Sequence, residues 1–231
     1  IRRTCTLLKS NRFDLAVVNS DLFPLIPSSI ELLTLNLPFI YDFDDAFYLK
    51  YRTGRFRSFE FFLGDKADRL MTGASAVMAG SQILSSYATK FNSNVSFLPS
   101  VVDTEFYRPS SSSASHYADK IFTIGWIGSP STASYLDLIV NPLSQLGTEI
   151  KLRFVVIGAL TPPVIPGVEV VSHPWSLQTE VSLIQQFDLG VMPLTDTPWA
   201  RGKCAYKLIQ YMACGIPVVA SRVGANVDAV P

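Results

Sequence analysis

The chain has 231 residues, 48% of them hydrophobic and 16% charged, with 19 Lys and Arg against 19 Asp and Glu. That length suits one and a half or two domains with a large core, and the balanced charge offers no basic surface for nucleic acid. Cys5, Cys204 and Cys214 show no CxxC spacing and the only histidines are His116 and His173, so reduced core thiols of a cytosolic protein are expected and a metal site is not.

Short β-branched runs alternate with longer amphipathic stretches along the chain, which is the pattern of parallel sheets with crossover helices. In the first half a strand is predicted at 14–19, a helix at 28–36, strand PFIYD at 38–42, a long helix at 58–74, strand 75–80, helix 81–91 and strand 94–99. The second half continues with strand KIFTIGWIG (120–128), helix 132–147, strands 152–158 and 168–173, helix 176–187, strand 189–194, helix 202–213 and strand 216–221. Residues 107–120 between the halves are polar, serine-rich and aperiodic. They suggest an interdomain linker at 110–119 separating domains 1–109 and 120–231.

No segment is long and apolar enough for a membrane span, since Leu22–Tyr41 is interrupted by Pro24, Pro27, Glu31, Asn36 and Pro38. The chain shows no signal peptide, opens on Ile1 and stops at Pro231 soon after a strand, so a piece of a longer protein is expected.

The stretch Trp199–Ser221 (WARGKCAYKLIQYMACGIPVVAS) sets Arg201, Lys203 and Lys207 close together, with no acid before Asp228. On a helix opening near Gly202 these cations crowd the end that already carries positive dipole charge, and Lys203 and Lys207 repel at a spacing of four. Ser131 or Thr132 can cap a second helix after strand 120–128. Two helix N-termini at the carboxyl ends of strands, one with added cations, favour a diphosphate ligand. A solvated basic face and a plain helix cap are the bland alternatives. A Walker-type loop is excluded, because Thr197 stands where its first glycine is required and Cys204 where it needs Ser or Thr.

The run FDLGVMPLTDTPWARGKCAYKLIQYMACGIPVVASRVGAN (187–226) resembles the donor-site segment of retaining, nucleotide-sugar-dependent glycosyltransferases of the GT-B type (glycosyl transferases group 1). Residues 67–91 with 95–109 resemble the segment that closes the family's N-terminal domain, and PFIYDFDDAFY (38–48) a phrase found in part of the family. The resemblance covers nearly the whole chain. It implies an α/β fold of two Rossmann-like parallel-sheet domains, both short or incomplete here, and a nucleoside-diphosphate sugar as donor substrate with no other cofactor and no metal.

Carried over position by position, the resemblance makes Lys207 a contact to the donor phosphates, with Arg201 and Lys203 beside it. Gly128 and Ser129 become the small residues approached by the diphosphate, with Thr132 in the turn that follows. It makes Trp175, in HPWSL (173–177), a stacking or packing partner of the base. Gly215 and Pro217 fall in the turn before the last strand, where a helix cap explains them fully. Gln210 stands where family members commonly carry a glutamate for donor hydroxyls, and Gly202 where they carry an earlier acid. A glutamine still exchanges hydrogen bonds with hydroxyls but cannot stabilise positive charge on a sugar carbon.

Asp42, Asp44 and Asp45 end an apolar strand. A helix-capping loop is one explanation, and the other places Asp45 in the acceptor pocket, binding hydroxyls or assisting deprotonation. In the family the leaving phosphate takes the acceptor proton, so no enzyme nucleophile is needed; DFDD (42–45) only superficially resembles a metal-binding DxD. The expected activity is retaining, metal-independent transfer of a hexose to a glycan, lipid-linked or small-molecule acceptor, in the cytoplasm or peripherally at the inner membrane face. A nucleotide-sugar epimerase and a catalytically weak sugar-nucleotide-binding domain are the alternatives.

Overall fold

The computed structural model describes residues 12–35, 37–110 and 121–230. Cys5, His116 and, apart from Ser110, the expected linker at 110–119 lie outside them. The described chain forms two compact units: one runs to Ser100 and takes back Thr197–Cys204, the other comprises Val101–Asp196 and the residues from Ala205 onward.

In the first unit β1 (Ala16–Asn19), α1 (Ser28–Thr34), β2 (Phe39–Phe43), α2 (Glu60–Leu63), α3 (Lys66–Gly73), β3 (Ala76–Ala79), α4 (Gln82–Ala88) and β4 (Val95–Phe97) follow in order. All neighbours in the sheet β1-β2-β3-β4 are parallel. Tyr41, Phe43, Leu70, Met71, Val77 and Leu84 are fully buried around it. Ser81 caps α4 by accepting from the Leu84 N–H at 3.3 Å. The single helix expected over 58–74 is instead a 3-10 turn (Gly54–Phe59), α2 and α3. Gly64 and Asp65 break it, since glycine costs about 1 kcal/mol in a helix interior and aspartate favours caps.

This unit buries a charge cluster that the hydrophobic pattern did not announce. Lys66, 2% exposed, lies 2.8 Å from Glu31 and 3.5 Å from Asp21 and donates to the Phe23 carbonyl at 2.7 Å. Glu31 accepts from the Phe23 N–H at 2.6 Å, and Asp21 takes Lys50 at 3.0 Å and the Tyr51 hydroxyl at 3.2 Å. Burial alone would raise the Asp21 pKa, but the Lys50 hydrogen bond and the Lys66 charge outweigh it and hold the carboxyl below its ordinary value. Together these bonds pin the loop after β1, in which Ser20 and Leu25 adopt left-handed backbone angles.

In the second unit the strands are β5 (Phe122–Ile127), β6 (Leu152–Ile157), β7 (Glu169–His173), β8 (Leu189–Met192) and β9 (Val218–Ala220), all parallel in the order β7-β6-β5-β8-β9. The helices are α5 (Val140–Glu149), α6 (Glu180–Ile184), α8 (Tyr206–Ala213) and α9 (Asn226–Ala229); α7 (Pro198–Arg201) belongs to the first unit. Before α5 the chain forms a 3-10 helix, Pro130–Ile139, rather than the start of one helix over 132–147. Pro142 gives the reason: without an N–H it cannot bond back to Leu138, and it is tolerated only in a first turn.

Among the described residues eight of the nine strands lie within their predicted runs, and β2 extends one residue past its run, to Phe43, because short apolar β-branched runs bounded by turn residues leave little ambiguity. The helix expected over 202–213 begins only at Tyr206. Ala205 has φ +56°, a left-handed angle that cannot continue a helix, and the residues before it pack in the other unit.

Candidate functional site

The site in the second unit is built at the carboxyl end of β5, the strand flanked by β6 on one side and β8 on the other. In a doubly wound sheet this reversal of order opens a ligand crevice. Gly128 follows the strand, and a Cβ there would come within 2.4 Å of the Trp126 ring and 2.9 Å of Lys207 Cε. At the neighbouring strand end Gly158 has φ +88°, and a Cβ on it would lie 2.3 Å from the Gly128 carbonyl oxygen and 3.3 Å from Trp175 Cβ. Two side-chain-free strand ends, Trp175 and Lys207 therefore meet. Trp126, only 1% exposed, forms the floor.

Helix α8 delivers Lys207 to this place. Leu208 and Tyr211 are fully buried, the Tyr211 ring fits over Gly190 of β8, and its hydroxyl accepts from the Ile127 N–H at 2.9 Å. One turn earlier on α8, Lys207 holds its ammonium 5.1 Å from the centre of the Trp126 ring. A cation over an indole face at the first turn of a helix is a suitable partner for an anion.

Ser129, rather than Ser131 or Thr132, occupies the cap position of the following helix, and no side chain caps it. The Ser129 and Ser131 hydroxyls hydrogen-bond each other at 2.8 Å, while Thr132 Oγ1 donates back to the Ser129 carbonyl at 3.0 Å. The expected cap fails because Pro130 starts the helix earlier.

Gln210 is 4% exposed and belongs to a buried network. Its Nε2 donates to the Tyr107 hydroxyl oxygen at 2.9 Å and approaches Glu180 Oε1 at 3.4 Å. Glu180, itself 3% exposed, also accepts from the Tyr107 hydroxyl and from the Trp175 indole N–H. Burial and the hydrogen bond to Glu180 push the Tyr107 pKa up, so it is a neutral phenol. Trp175 is 56% exposed and tethered by its indole nitrogen, an open aromatic face beside the strand ends. Neither Glu180 nor Trp126 was singled out by the sequence: one looks like any helix-start acid and the other like strand filling.

The first unit holds the other cations. Lys203 is 3.2 Å from Asp45 Oδ1, and Cys204 donates its thiol to the Asp44 carbonyl at 2.9 Å. Thr197 caps α7 by accepting from the Ala200 N–H at 3.1 Å, Trp199 meets Phe47 edge-on, and Arg201 is exposed in the last turn, where a cation suits the dipole. Lys203 and Lys207 thus share no helix, and the one-turn spacing expected of them on one does not form. Gly202 has a structural reason too, since a Cβ there would lie 2.7 Å from Ala46 Cβ, leaving no room for an acid.

Asp42 takes the Asn19 amide at 3.1 Å. Among the described residues no group of three or more His, Cys, Asp or Glu could hold a metal ion. Burial, with Asp44 and Asp45 nearby, pushes the Cys204 thiol up to about 12, and burial with Glu180 pushes Cys214 up to about 11, so both are inert thiols at neutral pH.

Solved structures share this fold. HepE of Anabaena, determined in complex with UDP, superposes with a TM-score of 0.68 at 16% identity, covering 99% of this chain and 65% of HepE. A trehalose-6-phosphate synthase studied for glycosyltransfer with retention gives 0.60 at 10% identity, covering 97% of this chain and 64% of its own. TarM gives 0.58 at 12%, with 92% and 42% covered. This chain therefore spans less than two thirds of these proteins. No curated protein matches it.

Two parallel-sheet Rossmann-like units, the second with its order reversed at β5, define the GT-B class of fold. Residues 118–231 match the family model described as glycosyl transferases group 1.

Proposed function

We propose that the chain acts as a glycosyltransferase that moves a hexose from a nucleoside-diphosphate sugar to a glycan, lipid-linked or small-molecule acceptor, with retention and without a metal ion. The observation that carries this reading is Lys207 held over Trp126 beside the side-chain-free backbone of Gly128 and Gly158. The diphosphate lies along Gly128 and Ser129, with Lys207 balancing the charge that develops as the sugar bond breaks. Trp175 supports the base, and Gln210 meets a hydroxyl of the donor. Thr132 keeps the turn after Ser129 in shape.

Asp45 binds or polarises the acceptor hydroxyl, whose proton passes to the leaving phosphate, with Lys203 as its ion-pair partner at 3.2 Å, while Arg201 adds positive potential. No other cofactor is needed. UDP in the HepE complex makes a uridine nucleotide the first donor to test. Peripheral attachment at the inner membrane face fits Phe61 and Phe62, 90% and 70% exposed beside Arg55 and Arg57; among the described residues no helix is long and apolar enough to cross a bilayer.

A thermal-shift panel of UDP-, GDP- and ADP-sugars tests the proposal. One nucleotide class at a hundred times its Kd should stabilise the chain by about 2.7 kcal/mol, a rise of roughly 5–10 °C. A flat response across the panel would overturn the donor site. Release of nucleoside diphosphate only when acceptor is added then separates transfer from mere binding.

A further inference from the structure

Glu180 lies outside the residues assigned to the donor, yet it is a carboxylate buried to 3% exposure at the start of α6, held by Tyr107, Trp175 and Gln210. Glu180 accepts from the Tyr107 hydroxyl, so that proton points at the carboxylate and only lone pairs remain on the Tyr107 oxygen. Gln210 can meet that oxygen, 2.9 Å away, solely through its NH2 group, which also leans toward Glu180. The amide is thereby locked one way round: nitrogen toward the network, carbonyl oxygen at the opposite end. Gln210 and Lys207 are three apart on α8 and so share a face of the helix.

We infer that Glu180 is a positioning residue that makes Gln210 a dedicated acceptor for a sugar hydroxyl of the bound nucleotide. This rests on the donor site proposed above. Without the lock, a glutamine presents its NH2 and C=O ends interchangeably. With it, one acceptor oxygen is presented, the hydrogen-bonding half of what a glutamate at this position would supply, while the negative charge stays one residue deeper.

The test uses the full chain, with affinities for UDP and GDP, their 2′,3′-dideoxy counterparts, and UDP-glucose and GDP-mannose. The wild type should prefer the hydroxyl-bearing ligand by about three- to tenfold, the worth of one hydrogen bond. Glu180→Gln, which frees the amide to turn, should erase that preference while the dideoxy affinities stay unchanged. The double variant Glu180→Gln with Gln210→Glu rebuilds one carboxylate and one amide and should restore it. Loss of the ribose preference assigns the hydroxyl to the ribose, and loss of the advantage of UDP-glucose over UDP assigns it to the transferred sugar. A uniform drop for every ligand, or a preference intact in Glu180→Gln, overturns the inference and leaves Glu180 a structural acid. If Glu180→Gln does not fold, Gln210→Met decides: loss of the hydroxyl preference with dideoxy affinities intact supports the acceptor role, and an intact preference refutes it. If the wild type binds none of these ligands, the donor-site proposal itself has failed.

Discussion

Lys66 and Lys207 show two uses of the same side chain. Lys66 is sealed inside the first unit among Glu31, Asp21 and a backbone carbonyl, and its charge is spent on holding a loop. Lys207 is half-buried in the second unit, resting on an indole ring next to backbone that carries no side chains. The comparison teaches that burial depth and the nature of the neighbours, rather than local sequence, separate a structural cation from one suited to a ligand. Lys203, four residues from Lys207, belongs to the first unit and lies 3.2 Å from Asp45.

Removing the structural cation should have the largest effect. Lys66→Met leaves Glu31, which is fully buried, without its partner and should cost about 3–5 kcal/mol in denaturant unfolding. If stability is unchanged, Lys66 does not hold the loop and the contrast with Lys207 collapses.

Lys207→Ala should show the reverse pattern, with nucleoside-diphosphate affinity falling by roughly 1.5–3 kcal/mol. The loss of its contact with Trp126 should cost only about 0.5–1 kcal/mol of apo stability. Calorimetry and thermal melting of one variant read both sides, and a nucleoside without phosphates serves as control. A stability loss as large as that of Lys66→Met, with diphosphate affinity intact, would merge the two classes.

Gly128→Ala sharpens the same contrast from the backbone side. The new methyl must displace the Trp126 ring or the Lys207 stem, at roughly 1–3 kcal/mol for overpacking, and diphosphate affinity should fall with it. An alanine accepted with full affinity would show that the strand end has more room than these contacts allow.

The smallest stability effect belongs to Asp45→Asn. Its pair with Lys203 is partly exposed, so melting should change by no more than about 1 kcal/mol. Transfer should drop while nucleotide affinity holds. A parallel loss of donor affinity would place Asp45 on the wrong substrate.

The sequence by itself determined the nine strands among the described residues, their parallel arrangement and the placing of Gly128 and Trp175 just after strand ends. These follow from local apolar runs and turn residues, whose signals survive without knowledge of distant contacts. It also marked Gln210 as a departure from the family pattern, without the reason. Only the tertiary structure decided that the helix behind Lys207 starts at Tyr206, because the left-handed Ala205 and the packing of Trp199, Gly202 and Lys203 in the other unit involve residues some 150 positions apart. The same holds for Gly202, whose missing side chain answers to Ala46, and for Glu180, whose partners Tyr107 and Gln210 are far away in the chain. A hydrophobic period records which face of an element is buried; it carries no record of which polar group waits on the far side, and that pairing is fixed only when the chain closes on itself.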